Sequence, residues 1–534
     1  MWFVPEPGVL MNTHLVKSIR RGSIGALLVP LLALPGCTDL TEVPNDALTP
    51  DNAFRTEQEI LAGVASVYAG FRGLTWGWFN LSEVTTDEIV VPTRGSDWYD
   101  NGRWLEIYRQ TWTASSGSAL DDMNGTWNAI FSGVARANLM ISVIEAAGGS
   151  NAPAVLAELK TLRAWYYYLA MDLFGGAPLV TSTEVTPTPR VSRDSLFKFI
   201  EAELNAARTA LPDRRPADQY GRVTRGAADA ILASMYINAG VFKKDQGINA
   251  TAYNSCNVPV SGGQNGCQAA LAAADRVINS GVYTLATDYK SNFSINNQGS
   301  PENIFVIAHT NLPGLGFSLP MRTLHYNHLA LGPWNGFATI AETYNAFDAA
   351  DKRREMFLTG QQFSFNTGQP ITDRAGNPLV ITVDIANVEQ AREHEGPRFN
   401  KFPPDPTAPA GDANPNDFPF FRLAEMYLIK AEAQNELGQT AAAITEVNRV
   451  RARQFTPPKP LAAGLSQTQM RTAILNERLF EFLTEAKRRT DLVRFGLYTA
   501  TRRFKSLREP HRVLFPIPTT QIQANPLLTQ NPGY

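Results

Sequence analysis

Tryptophan and tyrosine residues alternate with charged and amide side chains over residues 76–112. An aromatic face stacks on the apolar C–H surface of a pyranose ring, while carboxylates, amides and guanidinium groups pair with its hydroxyls. Gly95-Ser96 and Asn101-Gly102 flank Trp98, which predicts an exposed loop. Four side chains of this loop are predicted to contact such a ligand: Trp98, Tyr99, Trp104 and Arg94. The alternative is that these aromatic residues seal a boundary between lobes, whereas Trp76 and Trp112 are predicted to lie in the core.

A second candidate segment spans residues 322–337. Trp334 and Asn335 lie there among Gly332, Pro333 and Gly336, which is again typical of a loop that exposes its side chains. We predict Trp334 and Asn335 as ligand contacts. The same segment contains His325 and His328, but no third metal ligand is close in sequence, so no metal site is predicted.

Catalytic motifs are not recognised in this chain. The sequence contains no zinc-protease helix, no phosphate-binding glycine loop and no nucleophile elbow, and no cofactor is predicted. Asp121-Asp122 and Glu393-His394-Glu395 are the clustered acids. A glycosidase pair stays open as an alternative, because the separation of two carboxylates is a property of the tertiary structure. The main prediction is that the protein is not an enzyme.

The overall charge argues against a nucleic-acid partner. Lysine and arginine number 48 and aspartate and glutamate 50, for a formal net charge of −2 over 534 residues. Such a chain has no positive field with which to bind a polyphosphate. Its 44% hydrophobic content provides for a large core and excludes disorder as the dominant state.

The N-terminal residues have the pattern of a secretory signal. Lys17, Arg20 and Arg21 precede a short apolar stretch, and Leu34-Pro35-Gly36-Cys37 follows it. Cys37 occupies the position of the acylated cysteine in the lipobox of bacterial lipoproteins, which the segment resembles. We predict that residues 1–36 are removed and that Cys37 is lipidated, so that acyl chains anchor the protein to a membrane. By resemblance to lipoprotein sorting rules, the following Thr38 favours the outer membrane.

Two further cysteines, Cys256 and Cys267, enclose a short loop that is rich in glycine. In the oxidising compartment that a secretory signal implies, two cysteines this close are predicted to form a disulfide. Free thiols are the alternative.

Amphipathic helices must position these loops. Apolar residues recur at helical spacing from about residue 51, over 127–147, 156–174 and 192–211, and again over 472–495. Helix pairs at 223–239 with 268–280 and at 421–437 with 440–453 have small residues where tetratricopeptide units bring two helices into contact. Residues 303–415 show little helical periodicity and contain short strand-like runs. The predicted fold is mainly α, a tetratricopeptide-like scaffold with a loop-rich lobe.

These patterns predict five segments. They are a signal peptide over 1–36, a tether over 37–50, an N-terminal helical region with the aromatic loop over 51–300, a loop-rich variable lobe over 301–415, and a C-terminal helical region with an extended tail over 416–534.

A series of short motifs in fixed order resembles the SusD/RagB outer-membrane lipoproteins. The motifs are Arg163-Ala164-Trp165-Tyr166-Tyr167, Leu173-Phe174-Gly175-Gly176-Ala177-Pro178, Gly221-Arg222-Val223-Thr224-Arg225-Gly226, Asn448-Arg449-Val450-Arg451, Ile474-Leu475-Asn476-Glu477-Arg478, Asp491-Leu492-Val493-Arg494-Phe495-Gly496, Phe515-Pro516-Ile517-Pro518 and Gln530-Asn531-Pro532-Gly533-Tyr534. The resemblance covers most of the chain after Cys37.

The resemblance implies a function that composition alone does not. Members of this family lie on the outer surface of the outer membrane over a TonB-dependent, SusC-like transporter, and bind glycans or other nutrients for import. They also bring a loop of the variable lobe to the face that carries the early aromatic segment, so Trp98 and Trp334 are expected to converge. The alternative is a tetratricopeptide-like scaffold that caps the transporter and binds little ligand itself.

Overall fold

In a computed structural model of the chain, the structure describes Phe54 and residues 56–115 and 117–534. The predicted signal peptide, Cys37 and the tether lie outside the described residues. The division of the remaining chain into three regions stays a prediction. The residues that are described belong to one compact unit.

Helices form most of the regular secondary structure of this unit, as the sequence predicts, and the strands pair into short two-stranded sheets. The helices are α1 (Glu57–Leu74), α2 (Gly77–Glu83), α3 (Arg103–Arg109), α4 (Leu120–Ala147), α5 (Ala152–Phe174), α6 (Arg193–Ala207), α7 (Arg225–Ile237), α8 (Ala239–Phe242), α9 (Gly266–Ile278), α10 (Leu319–Thr323), α11 (Ala341–Ala346), α12 (Leu423–Glu436), α13 (Thr440–Arg451), α14 (Gln467–Phe482), α15 (Arg488–Arg494) and α16 (Thr519–Ala524). The strands are β1 (Asn303–Ile307), β2 (Phe357–Leu358), β3 (Gly360–Gln361), β4 (Val380–Ile381), β5 (Arg398–Phe399) and β6 (Phe418–Arg422).

Local sequence explains where several helices begin. Thr56 and Glu59 form a reciprocal capping box at the start of α1, which therefore begins several residues after the predicted position near residue 51. Ser192 accepts a hydrogen bond from the backbone N–H of Ser195 and caps α6. The helices then pack in pairs, α4 on α5, α7 on α9 and α12 on α13. Among the described helices α4 alone is long and apolar enough to span a membrane, but it also packs against α1 and α2 in the core.

The helix predicted over 472–495 is interrupted. It ends at Phe482 and resumes at Arg488 as α15, with Thr484 and Ala486 between them at positive φ of 62° and 59°. The backbone N–H of Thr484 donates to Glu88 Oε2 at 2.8 Å, and that of Ala486 donates to Glu83. The turn is therefore held by two buried carboxyl groups that lie almost 400 residues earlier in the chain.

Strands β1 and β6 pair antiparallel and connect the loop-rich part of the chain to the helices. β1 pairs with Phe418–Arg422, and Arg422 is buried among three carboxylates. Its guanidinium contacts Glu302 at 2.7 Å, Glu481 at 2.6 Å and Glu485 at 2.8 Å. The two strands thus end in an ion cluster that fixes α14 against them.

The C-terminal tail returns to the N-terminal helices. The backbone N–H of Phe515 donates to the carbonyl of Leu173 at 2.8 Å, and Asn531 Nδ2 donates to the carbonyl of Phe174 at 2.9 Å. The indole of Trp112, buried as predicted, donates to the hydroxyl of Tyr534 at 2.9 Å.

Candidate functional site

A tight hairpin presents Trp98. Arg94 and Asp97 exchange two backbone hydrogen bonds of 3.0 Å, and Gly95 in the turn adopts a positive φ of 65°. Trp98 follows this turn at a positive φ of 60°. Its indole N–H donates to the backbone carbonyl of Trp334 at 2.6 Å. The two predicted tryptophans are therefore joined directly, although they lie 236 residues apart in sequence.

The loop that carries Trp334 is fixed along α10. Backbone N–H groups of Trp334 and Asn335 donate to the carbonyls of Met321 and Leu324 at 2.6 and 2.9 Å. Gly336 is required by packing, because a Cβ atom at this position would overlap the ring of Trp98. The indole of Trp98 consequently packs against the backbone of the loop that carries Trp334.

The two loops line an open surface cavity of about 510 Å³ with indole rings on several sides. The ring centres of Trp98 and Trp334 are 6.5 Å apart, and those of Trp98 and Trp104 are 5.1 Å apart. Trp76 and Trp334 are 36% and 37% exposed and Trp98 is half-buried, so three rings present a face to a ligand. Trp104 is 1% exposed, and it forms part of the cavity wall behind Trp76 and Trp98.

Polar groups line the same cavity. The hydroxyl of Tyr326 donates to Asp97 Oδ2 at 2.5 Å, and Arg374 contacts the same oxygen at 3.1 Å while its guanidinium lies 4.1 Å from the centre of the tyrosine ring. Burial, and then the bond to Asp97, raises the pKa of Tyr326 to about 12. Tyr326 therefore remains a neutral donor at physiological pH.

Two further charged side chains of the lining already have partners. Asp100 Oδ2 accepts the indole N–H of Trp104 at 2.6 Å. Arg103 binds the buried carboxylate of Asp122 through Nε and one terminal nitrogen, each at 2.7 Å. Both residues are thereby oriented. Among the described residues, Asp100 Oδ1 and Arg103 Nη1 have no hydrogen-bond partner, which leaves them for a ligand hydroxyl.

The structure corrects the predicted role of Arg94. Arg94 is 2% exposed, and its guanidinium donates to the backbone carbonyls of Asn335 at 2.8 Å and Gly336 at 2.9 Å. Burial lowers the pKa of Arg94 to about 10, which leaves it charged at neutral pH. Arg94 thus holds the second loop in place because its donors are spent on the backbone, and it does not reach the cavity.

Two other predicted contacts also lie outside the cavity lining. Asn335 is fully buried, and its side-chain oxygen accepts two bonds from Arg398 at 3.0 and 2.8 Å. Tyr99 is 57% exposed, but it is not one of the residues that line the cavity. Asn335 is therefore structural, whereas Tyr99 is accessible only outside the cavity.

Trp76 is the tryptophan of the cavity that sequence analysis missed, since it was predicted to be in the core. It occupies the break between α1 and α2, where the chain turns and exposes one face of the ring. The buried guanidinium of Arg322 lies 4.1 Å from the centre of this ring. The available signal was the Gly77 that follows Trp76, which resembles the glycine context of Trp98 and Trp334.

His325 and His328 serve the loop architecture. The Nδ1 atom of His325 accepts the backbone N–H of Asn327 at 3.2 Å, and its Nε2 lies 3.1 Å from Glu393 Oε2. Burial lowers the pKa of His325 to about 4, so the ring is neutral at physiological pH. Within the described residues, no group of three or more His, Cys, Asp or Glu side chains is placed to hold a metal ion.

A larger cavity of about 630 Å³ lies between α1 and β1. Its lining mixes aliphatic and charged side chains with three aromatic rings, and the hydroxyls of its two tyrosines, Tyr68 and Tyr220, donate to the carboxylates of Glu158 and Asp417. Because the described residues of this lining include no tryptophan and its tyrosine hydroxyls already have partners, we place the candidate site at the cavity lined by Trp76, Trp98 and Trp334, the tryptophan cavity.

Cys256 and Cys267 form a disulfide in the structure. Cys267 lies in the first turn of α9 and Cys256 in the preceding loop, and both are fully buried.

Comparison with known proteins places these features in a family. A model described as the SusD family matches residues 335–509, and a model described as starch-binding, associating with outer membrane, matches residues 49–237. SusD-like protein P25 of Formosa agariphila is 23% identical over 93% of this chain and 96% of its own length. The starch-binding protein SusD of Bacteroides thetaiotaomicron is 24% identical over 85% of each chain.

Solved structures share the fold. A laminarin-binding SusD-like protein superposes with a TM-score of 0.71 at 23% identity, over 90% of this chain and 100% of that chain. The similarity extends over both the helical scaffold and the loop-rich part.

Proposed function

This chain belongs to the SusD family, and from that premise we propose that it captures a glycan or similar nutrient at the tryptophan cavity and delivers it to a SusC-like, TonB-dependent transporter. The family description names starch binding and association with the outer membrane. One similar protein is named for starch binding and one solved structure for laminarin binding. These names support glycan as the ligand class without specifying which glycan.

The observation that carries the proposal is the arrangement of Trp76, Trp98 and Trp334 around one cavity. A ring that stacks on a sugar contributes on the order of 1 kcal/mol beyond the area it buries. Three such rings, with Asp100 and Arg103 beside them, supply both the stacking and the hydrogen bonding that an oligosaccharide requires.

We also propose that acyl chains on Cys37 attach the protein to the outer membrane, with the cavity facing the cell exterior. The family description supports the membrane association, and the resemblance of the leader to a lipobox supports the anchor. Several acyl chains give stable attachment, whereas one gives only marginal binding.

We propose binding without hydrolysis. The two carboxylates of the cavity have fixed structural donors, Tyr326 and Arg374 on Asp97 and the indole of Trp104 on Asp100. A glycosidase instead needs one carboxyl group that gives a proton to the leaving oxygen and a second that acts on the sugar from the other side.

The paired helices α12 and α13 favour a second candidate function, a scaffold that caps the transporter and binds little ligand itself. The two functions differ in what the purified protein binds. We expect titration calorimetry with laminarin, starch and xylan to show binding to at least one of them in the absence of transporter, with no release of reducing sugar. Binding to none of them, together with co-purification of a transporter, would favour the scaffold.

A further inference from the structure

The acidic and basic side chains around the tryptophan cavity differ in how far contacts with the protein occupy them. Asp97 and Asp100 are carboxylates at its surface, and each retains acceptor lone pairs after its contacts with the protein. Among the described residues of the lining Arg103 is the one cation, and it is paired with the carboxylate of Asp122 through two bonds of 2.7 Å. The lining therefore offers carboxylate acceptors, of which Asp97 is also paired with Arg374 at 3.1 Å, and a cation whose charge is largely compensated.

Three further arginines lie behind the loops and do not face the ligand. Arg94, Arg322 and Arg398 are each at most 2% exposed. Arg94 and Arg398 donate mainly to backbone carbonyls and to Asn335, whereas Arg322 donates to the carbonyl of Thr75 at 2.9 Å and to Ser318 at 2.8 Å. Arg374, at the rim, is shared between Asp97 and Glu393. The three buried guanidinium groups hold the loops in place, whereas Arg374 is 50% exposed and makes ion pairs with two carboxylates.

We infer that the tryptophan cavity selects uncharged saccharides and discriminates against uronate or sulfated ones, with Asp97 and Asp100 as the specificity-determining residues. The inference rests on the proposed function. Hydroxyl groups of a neutral sugar donate to the two carboxylates, whereas a carboxylate or sulfate on the ligand repels them. With the carboxylates neutralised, the charge of the arginines behind the loops would dominate the cavity.

The first test compares ligands that differ in charge alone. Laminarin, starch and xylan would be titrated beside laminarin and starch whose primary alcohols have been oxidised to uronates, and beside alginate and polygalacturonate. The inference is supported if a neutral glycan binds and its oxidised form binds about fivefold or more weakly for each added charge near the rings. Equal or tighter binding of the anionic glycans overturns the inference and leaves the proposed function intact. Binding of none of these glycans overturns both.

The second test changes the protein. Asp97→Asn and Asp100→Asn preserve an acceptor for Tyr326 and for Trp104 but remove the charge. We expect the double variant to gain binding of the oxidised glycan by about fivefold or more at low salt, and to lose this gain at high salt. The double variant Glu184→Gln/Asp412→Asn, at two exposed positions outside the cavity, is the matched control for net charge. If the control and the Asp97→Asn/Asp100→Asn variant behave alike, the assignment of Asp97 and Asp100 is wrong.

Discussion

Trp98 and Trp334 face the same cavity, but different contacts hold the two rings. Trp98 packs on Trp104, on Phe337 and on the backbone at Gly336, and its N–H is bound. Trp334 is 37% exposed, and it supplies its backbone carbonyl rather than its side chain to the bond between the loops. The contribution of Trp334 to ligand binding can therefore be separated from stability more cleanly than that of Trp98.

We expect Trp334→Ala to weaken glycan binding by about fivefold or more, because one stacking surface is lost. The melting temperature should change little, since the backbone carbonyl that Trp98 uses is retained. Titration calorimetry beside thermal unfolding measures both. Leu507→Ala, at a side chain that is 65% exposed, is the control for loss of exposed apolar area.

Trp98→Ala should in contrast lower both binding and melting temperature, because it also opens a void beside Trp104 and Phe337. A Trp334→Ala protein that melts much earlier but binds the glycan normally would refute the assignment of this ring to the ligand.

A second residue-scale prediction concerns the acid pair beneath the turn at Thr484. Burial raises the pKa of Glu88 to about 7 and also raises the pKa of Glu83. The folded protein thus retains a proton that the unfolded chain releases near its ordinary value of 4.5. The stability that this proton supplies is fully present below that value and is lost as pH rises through about 7.

Glu88→Gln replaces the titrating group by a neutral one that can still accept the backbone N–H of Thr484. We expect the wild-type melting temperature to fall between pH 5 and pH 8 by about 3 °C more than that of the variant. Glu184→Gln should follow the wild type. Parallel profiles of wild type and Glu88→Gln would show that this carboxyl group does not hold the proton.

The sequence could indicate Trp98 and Trp334 because their glycine neighbours predict exposed loops. It could not indicate that Arg94 and Asn335 are buried, since their partners are backbone and side-chain groups from residues 335–398 that only the fold brings near. The exposure of Trp76 likewise depends on the break between α1 and α2 and on Arg322, which lies 246 positions later in the chain. Residue type predicts chemistry here, whereas access to solvent is a tertiary property.

At the scale of elements, helical periodicity identified the paired helices and failed at one place. The pattern over 472–495 continues through residues 483–487, so it contains no signal for a break. The break comes from Glu83 and Glu88, which offer acceptors to Thr484 and Ala486 and stabilise positive φ at both. A long-range hydrogen bond thus outweighs a local helical preference.

The disulfide gives a prediction at this scale. It closes a loop of 11 positions onto the first turn of α9. In the chain-entropy model such a closure stabilises the fold by about 3 kcal/mol. Replacing both cysteines by alanine should lower the free energy of unfolding in urea by roughly that amount. Non-reducing peptide mapping provides the independent check, and alkylation of both thiols in unreduced protein would contradict the bond.

At the scale of the whole molecule, one compact unit contains the helices, the loop-rich part and the candidate site. The site lies between two loops that are distant in sequence. The mainly helical fold, with short strands in the loop-rich part, agrees with what the sequence predicts. The membrane anchor is a prediction of a different kind, because it depends on residues before the described unit.

We expect intact-mass spectrometry of membrane-extracted protein to show a chain that begins at Cys37 and carries two or three acyl groups. Cys37→Ala should give unprocessed or released protein, because the acylation site is absent. Cys37→Ser would be the closer steric control. A variant at this position that stays membrane-bound and fully processed would rule out the anchor.

The return of the tail to the first helices bears on how the protein is made. The buried indole of Trp112 donates to the hydroxyl of Tyr534, 422 positions later in the chain. The carbonyl of Phe174 accepts a hydrogen bond from Asn531, 357 positions later. During synthesis the early helices therefore emerge with apolar surface uncovered and polar groups unmatched for most of the time the ribosome needs to complete the chain. If the chain is exported, as its N-terminal pattern predicts, these last contacts can form only after the C-terminal residues have crossed the inner membrane as well.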